Sequence, residues 1–119
     1  MFGSGKKSIN AEKMDTLIGK GTNLEGTINA DGTIRLDGKV HGGLNIVGNL
    51  IIGEEGAVKG NIKVDNAFIA GVIEGNVIAT SQLHITHTAK IVGDITVKSV
   101  IIDEGAVFIG NCKIITENA

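Results

Sequence analysis

Six glycines recur in one setting along the chain: LEGTINA (Leu24 to Ala30), VHGGLNI (Val40 to Ile46), VKGNIKV (Val58 to Val64), IEGNVIA (Ile73 to Ala79), IVGDITV (Ile91 to Val97) and FIGNCKI (Phe108 to Ile114). Gly26, Gly42, Gly60, Gly75, Gly93 and Gly110 are separated by 16, 18, 15, 18 and 17 residues. A period of this size predicts a solenoid, in which each unit leaves an apolar face that only its neighbours can cover. The ends of such a stack, where no neighbour stands, become the first place to look for function.

Within each unit the apolar residues alternate with period two, which predicts strands and not helices. Counting from each glycine, positions −2, +2 and +4 are apolar. A second inward pair follows near +8 and +10: Ile34 and Leu36, Leu50 and Ile52, Phe68 and Ala70, Leu83 and Ile85, and, shifted by one residue, Val100 and Ile102. Corners such as ADG (Ala30 to Gly32), LDG (Leu36 to Gly38), GEEG (Gly53 to Gly56) and DEG (Asp103 to Gly105) supply the Asp and Gly residues that tight turns favour. The pattern reads as an all-β, roughly triangular parallel β-helix of six coils, about 29 Å tall at the ~4.8 Å strand spacing. Irregular spacing breaks the strict hexapeptide beat of left-handed β-helices, and parallel crossovers are right-handed by default, so a right-handed helix is expected.

Composition bounds the function. The chain has 119 residues, no Pro, Trp or Tyr, and a net charge of −2 with no basic cluster in the repeats, so nucleic acid is not an expected partner. No apolar run approaches the ~20 residues needed to span a bilayer, and no secretory signal is evident at the N-terminus, so a cytoplasmic protein is expected. The single cysteine, Cys112, occupies the position of Ile28, Leu44, Ile62, Val77 and Ile95, which predicts a small core residue. His41, His84 and His87 are the candidates for an acyltransferase or γ-carbonic-anhydrase-like zinc site between subunits. The alternation points His41 and His84 outward on different faces and leaves His87 in a corner, so they do not converge within one coil. The glycines are spread one per coil, not gathered before a helix, so no phosphate cradle forms and no cofactor is expected.

The ends and the outer columns carry what remains. No polar cap or capping helix is evident at either end of the repeats, so open strand edges and an apolar cross-section predict end-to-end association. The −2 column runs from Leu24 at one end to Phe108 at the other, and these two are the candidate polymerisation contacts. At +1 the residues Thr27, Gly43, Asn61, Asn76, Asp94 and Asn111 predict a polar ladder along the rod. At +9 an outward column of Arg35, Ile51, Ile69 and His84, with Ile101 close by, marks Ile51, Ile69 and Ile101 for a lateral contact.

The runs T-L-I-G-K-G-T-N-L-E-G-T-I (Thr16 to Ile28) and D-G-x-I-R-L-D-G-x-V-x-G (Asp31 to Gly42) closely resemble the opening of the bactofilins, polymer-forming cytoskeletal proteins of bacteria. The resemblance implies a right-handed parallel β-helix assembling without nucleotide into non-polar filaments, head to head and tail to tail. It also implies attachment to cytoplasmic membrane lipids through an N-terminal tail, here Met1, Phe2, Lys6 and Lys7, and cell-envelope or peptidoglycan-related proteins as partners. Unlike many members, this chain lacks proline-rich tails. The expected organisation is a flexible membrane-binding tail over residues 1–15, a β-helix over 16–116 and a short tail over 117–119.

Overall fold

The computed structural model describes residues 15–115. Eleven strands join in one sheet in which every pairing is parallel. They are β1 (Thr16–Ile18), β2 (Asn23–Leu36), β3 (Lys39–Ile52), β4 (Ala57–Lys59), β5 (Ile62–Ile69), β6 (Val72–Glu74), β7 (Val77–Ile85), β8 (Lys90–Val92), β9 (Ile95–Ile102), β10 (Val107–Ile109) and β11 (Cys112–Ile114). The sheet winds on itself as a parallel β-helix, the architecture expected from the glycine period. Each coil contributes a short first face (β4, β6, β8, β10 and the starts of β2 and β3), a second face after the signature glycine, and a third face ending at Leu36, Ile52, Ile69, Ile85 or Ile102.

Side chains stack in register from coil to coil. One inward column is Leu24, Val40, Val58, Ile73, Ile91 and Phe108; a second is Ile28, Leu44, Ile62, Val77, Ile95 and Cys112. A third-face column joins Ile18, Leu36, Ile52, Ile69, Ile85 and Ile102. The core is wholly aliphatic from Ile34 to Val97, with Thr86 the one buried polar residue among those described. Its hydroxyl donates to the Ile69 carbonyl at 3.1 Å, so its burial leaves no unpaired donor.

The glycine column has a steric cause. Gly42, Gly60, Gly75, Gly93 and Gly110 all hold φ between 141° and 150°, a region L-residues rarely enter. In each, an added Cβ would overlap the carbonyl oxygen of the glycine one coil earlier. Gly26 shares the conformation, but among the described residues nothing lies within 4 Å of that position, since it belongs to the first described coil there. Chain reversal at the other corners is by short turns, with Gly56 N–H donating to Gly53 O at 2.9 Å and Ala106 N–H to Asp103 O at 3.1 Å. The ADG segment is a bend and not a break: β2 runs through it, turning at Gly32 with φ 100°.

One register expectation is corrected. Ala67 and Ile69 are the buried pair of the third coil, not Phe68 and Ala70, and Phe68 is 43% exposed. The corner Val64–Asp65–Asn66 is one residue shorter than Ile46–Val47–Gly48–Asn49, and the pairing shifts accordingly, from Asn45 with Lys63 to Asn49 with Asn66. A one-residue slip turns every following side chain to the opposite face. Ile69 is therefore 0% exposed and cannot form a lateral contact.

Candidate self-association surfaces

The two ends of the stack differ. At the N-terminal end Ile18, Leu24, Ile28 and Ala30 are partly buried against the core. Part of this edge is closed over: Asp15 N–H donates to Thr33 O at 2.9 Å, and Asp15 Oδ2 accepts from Thr33 N–H at 2.9 Å. Nearby, Lys20 Nζ lies 3.1 Å from Glu55 Oε1, an exposed pair worth little to stability.

The C-terminal end is more apolar. Ile102 and Ile114 are each 47% exposed, although Ile85 and Val97, their neighbours one coil below, are fully buried. Phe108 stacks on Ile91 and remains half-buried, the aromatic tip of a column that is otherwise aliphatic. Around this rim Val92, Val107 and Ile109 add an exposed apolar collar on the first face. Cys112 stands in the predicted core column, above Ile95, but it is exposed and free. Its expected burial fails because its coil is the last described one and no described residue stacks on it. Sequence reading missed the collar because alternation marks Val107 and Ile109 as ordinary outward residues; their apolar identity beside an open end was the available signal.

A second surface runs along the third face. Its outward column is Leu17, Arg35, Ile51, Phe68, His84 and Ile101. Phe68 takes the place that the sequence pattern gave to Ile69. Arg35 Nε donates to Asp37 Oδ2 at 3.0 Å, and this hydrogen bond and charge raise the guanidinium pKa above its ordinary value. His84 Nε2 lies 3.1 Å from both Asp103 carboxylate oxygens, and the imidazole meets the Phe68 ring edge to face at 5.0 Å. His84 is thus a half-buried, partnered side chain and not a freely solvated one.

The +1 column forms the expected ladder. Asn61 Oδ1 accepts from Asn76 N–H, Asn76 Oδ1 from Asp94 N–H, and Asp94 Oδ1 from Asn111 N–H, at 3.2 to 3.3 Å. Each side chain thereby satisfies a backbone donor of the next coil. His41 lies on the first face beside Glu25 and Lys59, His84 on the third, and His87 near the Gly105 corner, so the three do not meet. Among the described residues no group of three or more His, Cys, Asp or Glu is placed to hold a metal. A groove of about 580 Å³ lies at the second corner, lined in part by Ala30, Ile46, Val64, Asp65 and Thr80, with no histidine or cysteine. The membrane candidates Met1, Phe2, Lys6 and Lys7 lie outside the described residues.

Comparison with known proteins converges on one family. A family model described as "Bactofilin: Polymer-forming cytoskeletal" matches residues 16–113. The chain is 36% identical to bactofilin BacP of Myxococcus xanthus over 96 residues, 81% of this chain but 40% of that protein, so it spans well under half of BacP. It is 31% identical to bactofilin BacO of the same organism, covering 82% of this chain and 77% of that one. The fold is similar to a cryo-EM reconstruction of Thermus thermophilus bactofilin double helical filaments, with TM-score 0.76, 29% identity, and coverage of 82% and 96%. It also resembles the crystal structure of a phenylalanine-to-arginine mutant of a T. thermophilus bactofilin, with TM-score 0.70, 26% identity, and coverage of 73% and 97%. The chain belongs to the bactofilin family of polymer-forming cytoskeletal proteins.

Proposed function

We propose that this protein is a bacterial cytoskeletal scaffold that polymerises end to end, without nucleotide, into non-polar filaments on the inner face of the cytoplasmic membrane. The observation that carries the reading is the uncovered C-terminal coil, where Ile102, Phe108, Cys112 and Ile114 continue columns that are buried one level below. A second copy placed end against end by a two-fold axis covers that cross-section with its own, and pairs strand edge with strand edge. The same operation at the Leu24 end continues the polymer. Because each junction joins like ends, the filament has no direction. The distribution of one glycine per coil offers no nucleotide cradle to drive assembly.

Membrane attachment falls to Met1, Phe2, Lys6 and Lys7. One such tail contributes a few kcal/mol from its apolar tip and ~1 kcal/mol per lysine at an anionic surface, which is weak alone. Repetition along a polymer makes it multivalent, so attachment follows assembly. A filament on that face is positioned to recruit cell-envelope or peptidoglycan-related proteins.

Blocking each end separately tests the reading. Leu24→Arg and Phe108→Arg should each stop at dimers by sedimentation, and the double variant should be monomeric. A double variant that still forms long polymers while folded would remove the ends from the mechanism.

A further inference from the structure

The second and third faces of the first coil are covered differently. Thr16 and Ile18 lie over Ile34 and Leu36, which are each 1% exposed. Ile28 and Ala30, inward residues of the same strand, remain only partly buried, although Leu44 and Ile46 beneath them are buried. Among the described residues, β2 pairs with β3 along its whole length but with β1 only at Ile34, Arg35 and Leu36, so its edge over residues 23–32 stands open. The described chain enters beside this edge, where Asp15 is bonded to Thr33. Shortly before Asp15, the run S-I-N-A at 8–11 repeats the T-I-N-A of 27–30, whose edge is the open one.

We propose that residues 8–11 add a parallel strand over residues 27–30, a further partial coil that forms the outermost layer of the N-terminal end. Ser8 stands over Thr27, Ile9 over Ile28, Asn10 over Asn29 and Ala11 over Ala30. Ile9 and Ala11 extend the two inward columns. Asn10 extends the outward one, accepting from Asn29 Nδ2 as Asn29 Oδ1 accepts from Asn45 Nδ2 at 3.0 Å. Polarity selects this register. Thr16 lies over Ile34, a step of 18 residues, and carrying that step back unbroken would set Asn10 on Ile28 and Glu12 on Ala30, an amide and a carboxylate turned into the core. One extra residue in the corner keeps both outside. This corner already varies by one residue, between Ile46 to Asn49 and Val64 to Asn66.

An open strand edge is a template for another strand, and Glu12, Lys13 and Met14 are the whole connection from Ala11 to Asp15, so closing the loop costs little entropy. The role in assembly rests on the end-to-end reading above. A second copy at this end then meets Ile9, Ala11, Ile18 and Leu24, with Ile28 and Ala30 covered. Residues 1–7 stay free for lipid and leave the rod beside Gly26.

Docking is tested by disulfide formation in the full chain carrying Leu24→Arg, Phe108→Arg and Cys112→Ser, so that neither assembly nor the native thiol intervenes. Paired residues on neighbouring strands have Cα atoms ~4.8 Å apart, within the ~4.4–6.8 Å that a disulfide spans. Asn10→Cys with Asn29→Cys should close within the chain, under mild oxidation, at least about tenfold faster than Ala11→Cys with Asn29→Cys, whose side chains leave opposite faces of the sheet. Equal rates would mean an unattached segment and would overturn the proposal, as would faster closure of the second pair, which marks the unbroken register. For the junction, Ile9→Asp in the otherwise unmodified chain, without lipid, should give a melting temperature a few degrees lower and short species joined through their Phe108 ends. Long Ile9→Asp filaments would overturn the junction role. If the unmodified chain forms no filaments, the end-to-end reading and the junction role fail together, while the oxidation rates still decide the docking.

Discussion

Replacing Phe108 with arginine separates folding from assembly. In the free subunit Phe108 covers Ile91 from one side only and remains half-buried. Full burial of such a ring contributes ~1.5–3 kcal/mol, so losing half of that removes about 1 kcal/mol, and the subunit stays folded. In a two-fold end contact the ring appears twice and its remaining surface is desolvated on both copies. That loss alone is about 2 kcal/mol, or roughly 30-fold in affinity at 1.4 kcal/mol per tenfold. Two guanidinium groups facing each other in an apolar contact add several kcal/mol more. The contact should weaken by at least about 10⁴-fold. Sedimentation velocity at micromolar concentration, with circular dichroism to verify the fold, should find dimers joined through their Leu24 ends. Phe108→Ala, which omits the charge, should shorten filaments without abolishing them. Long filaments from a folded Phe108→Arg protein would refute the reasoning.

The glycine column should be graded by position. Gly60→Ala or Gly75→Ala forces a Cβ into the carbonyl of the preceding coil and should lower the melting temperature by well over 10 °C or prevent folding. Gly26→Ala meets open space, incurs only the backbone strain of ~1–3 kcal/mol, and should fold; equal losses at the two sites would contradict the steric account. Deleting residues 1–7, or Phe2→Glu, should release filaments from anionic liposomes in co-sedimentation without preventing their formation. Undiminished lipid binding by the deletion would move the membrane contact onto the rod.

The coil period, the parallel strands and most inward columns were legible because one glycine per turn marks the same corner and strand alternation does the rest. Phe68 and Ile69 were exchanged for a local reason. Counting a fixed distance from Gly60 assumes equal corners, whereas Val64–Asp65–Asn66 is one residue short, and period two makes a slip of one an inversion. Counting back from Leu83 and Ile85 through the paired register would have found it. Cys112 was placed in the right column and the wrong environment, because sequence periodicity reports which way a side chain points, not whether another coil stands over it. The pairing of His84 with Asp103 was invisible for a related reason: the two are 19 residues apart and meet only through the stacking of successive coils.

The central claim is that the open ends alone assemble this chain. Purified protein, in EDTA and without ATP or GTP, should form long filaments by electron microscopy, with an axial repeat of two subunits related by two-fold axes perpendicular to the filament. Discrete trimers, a requirement for nucleotide or metal, or filaments whose subunits all point the same way would contradict it.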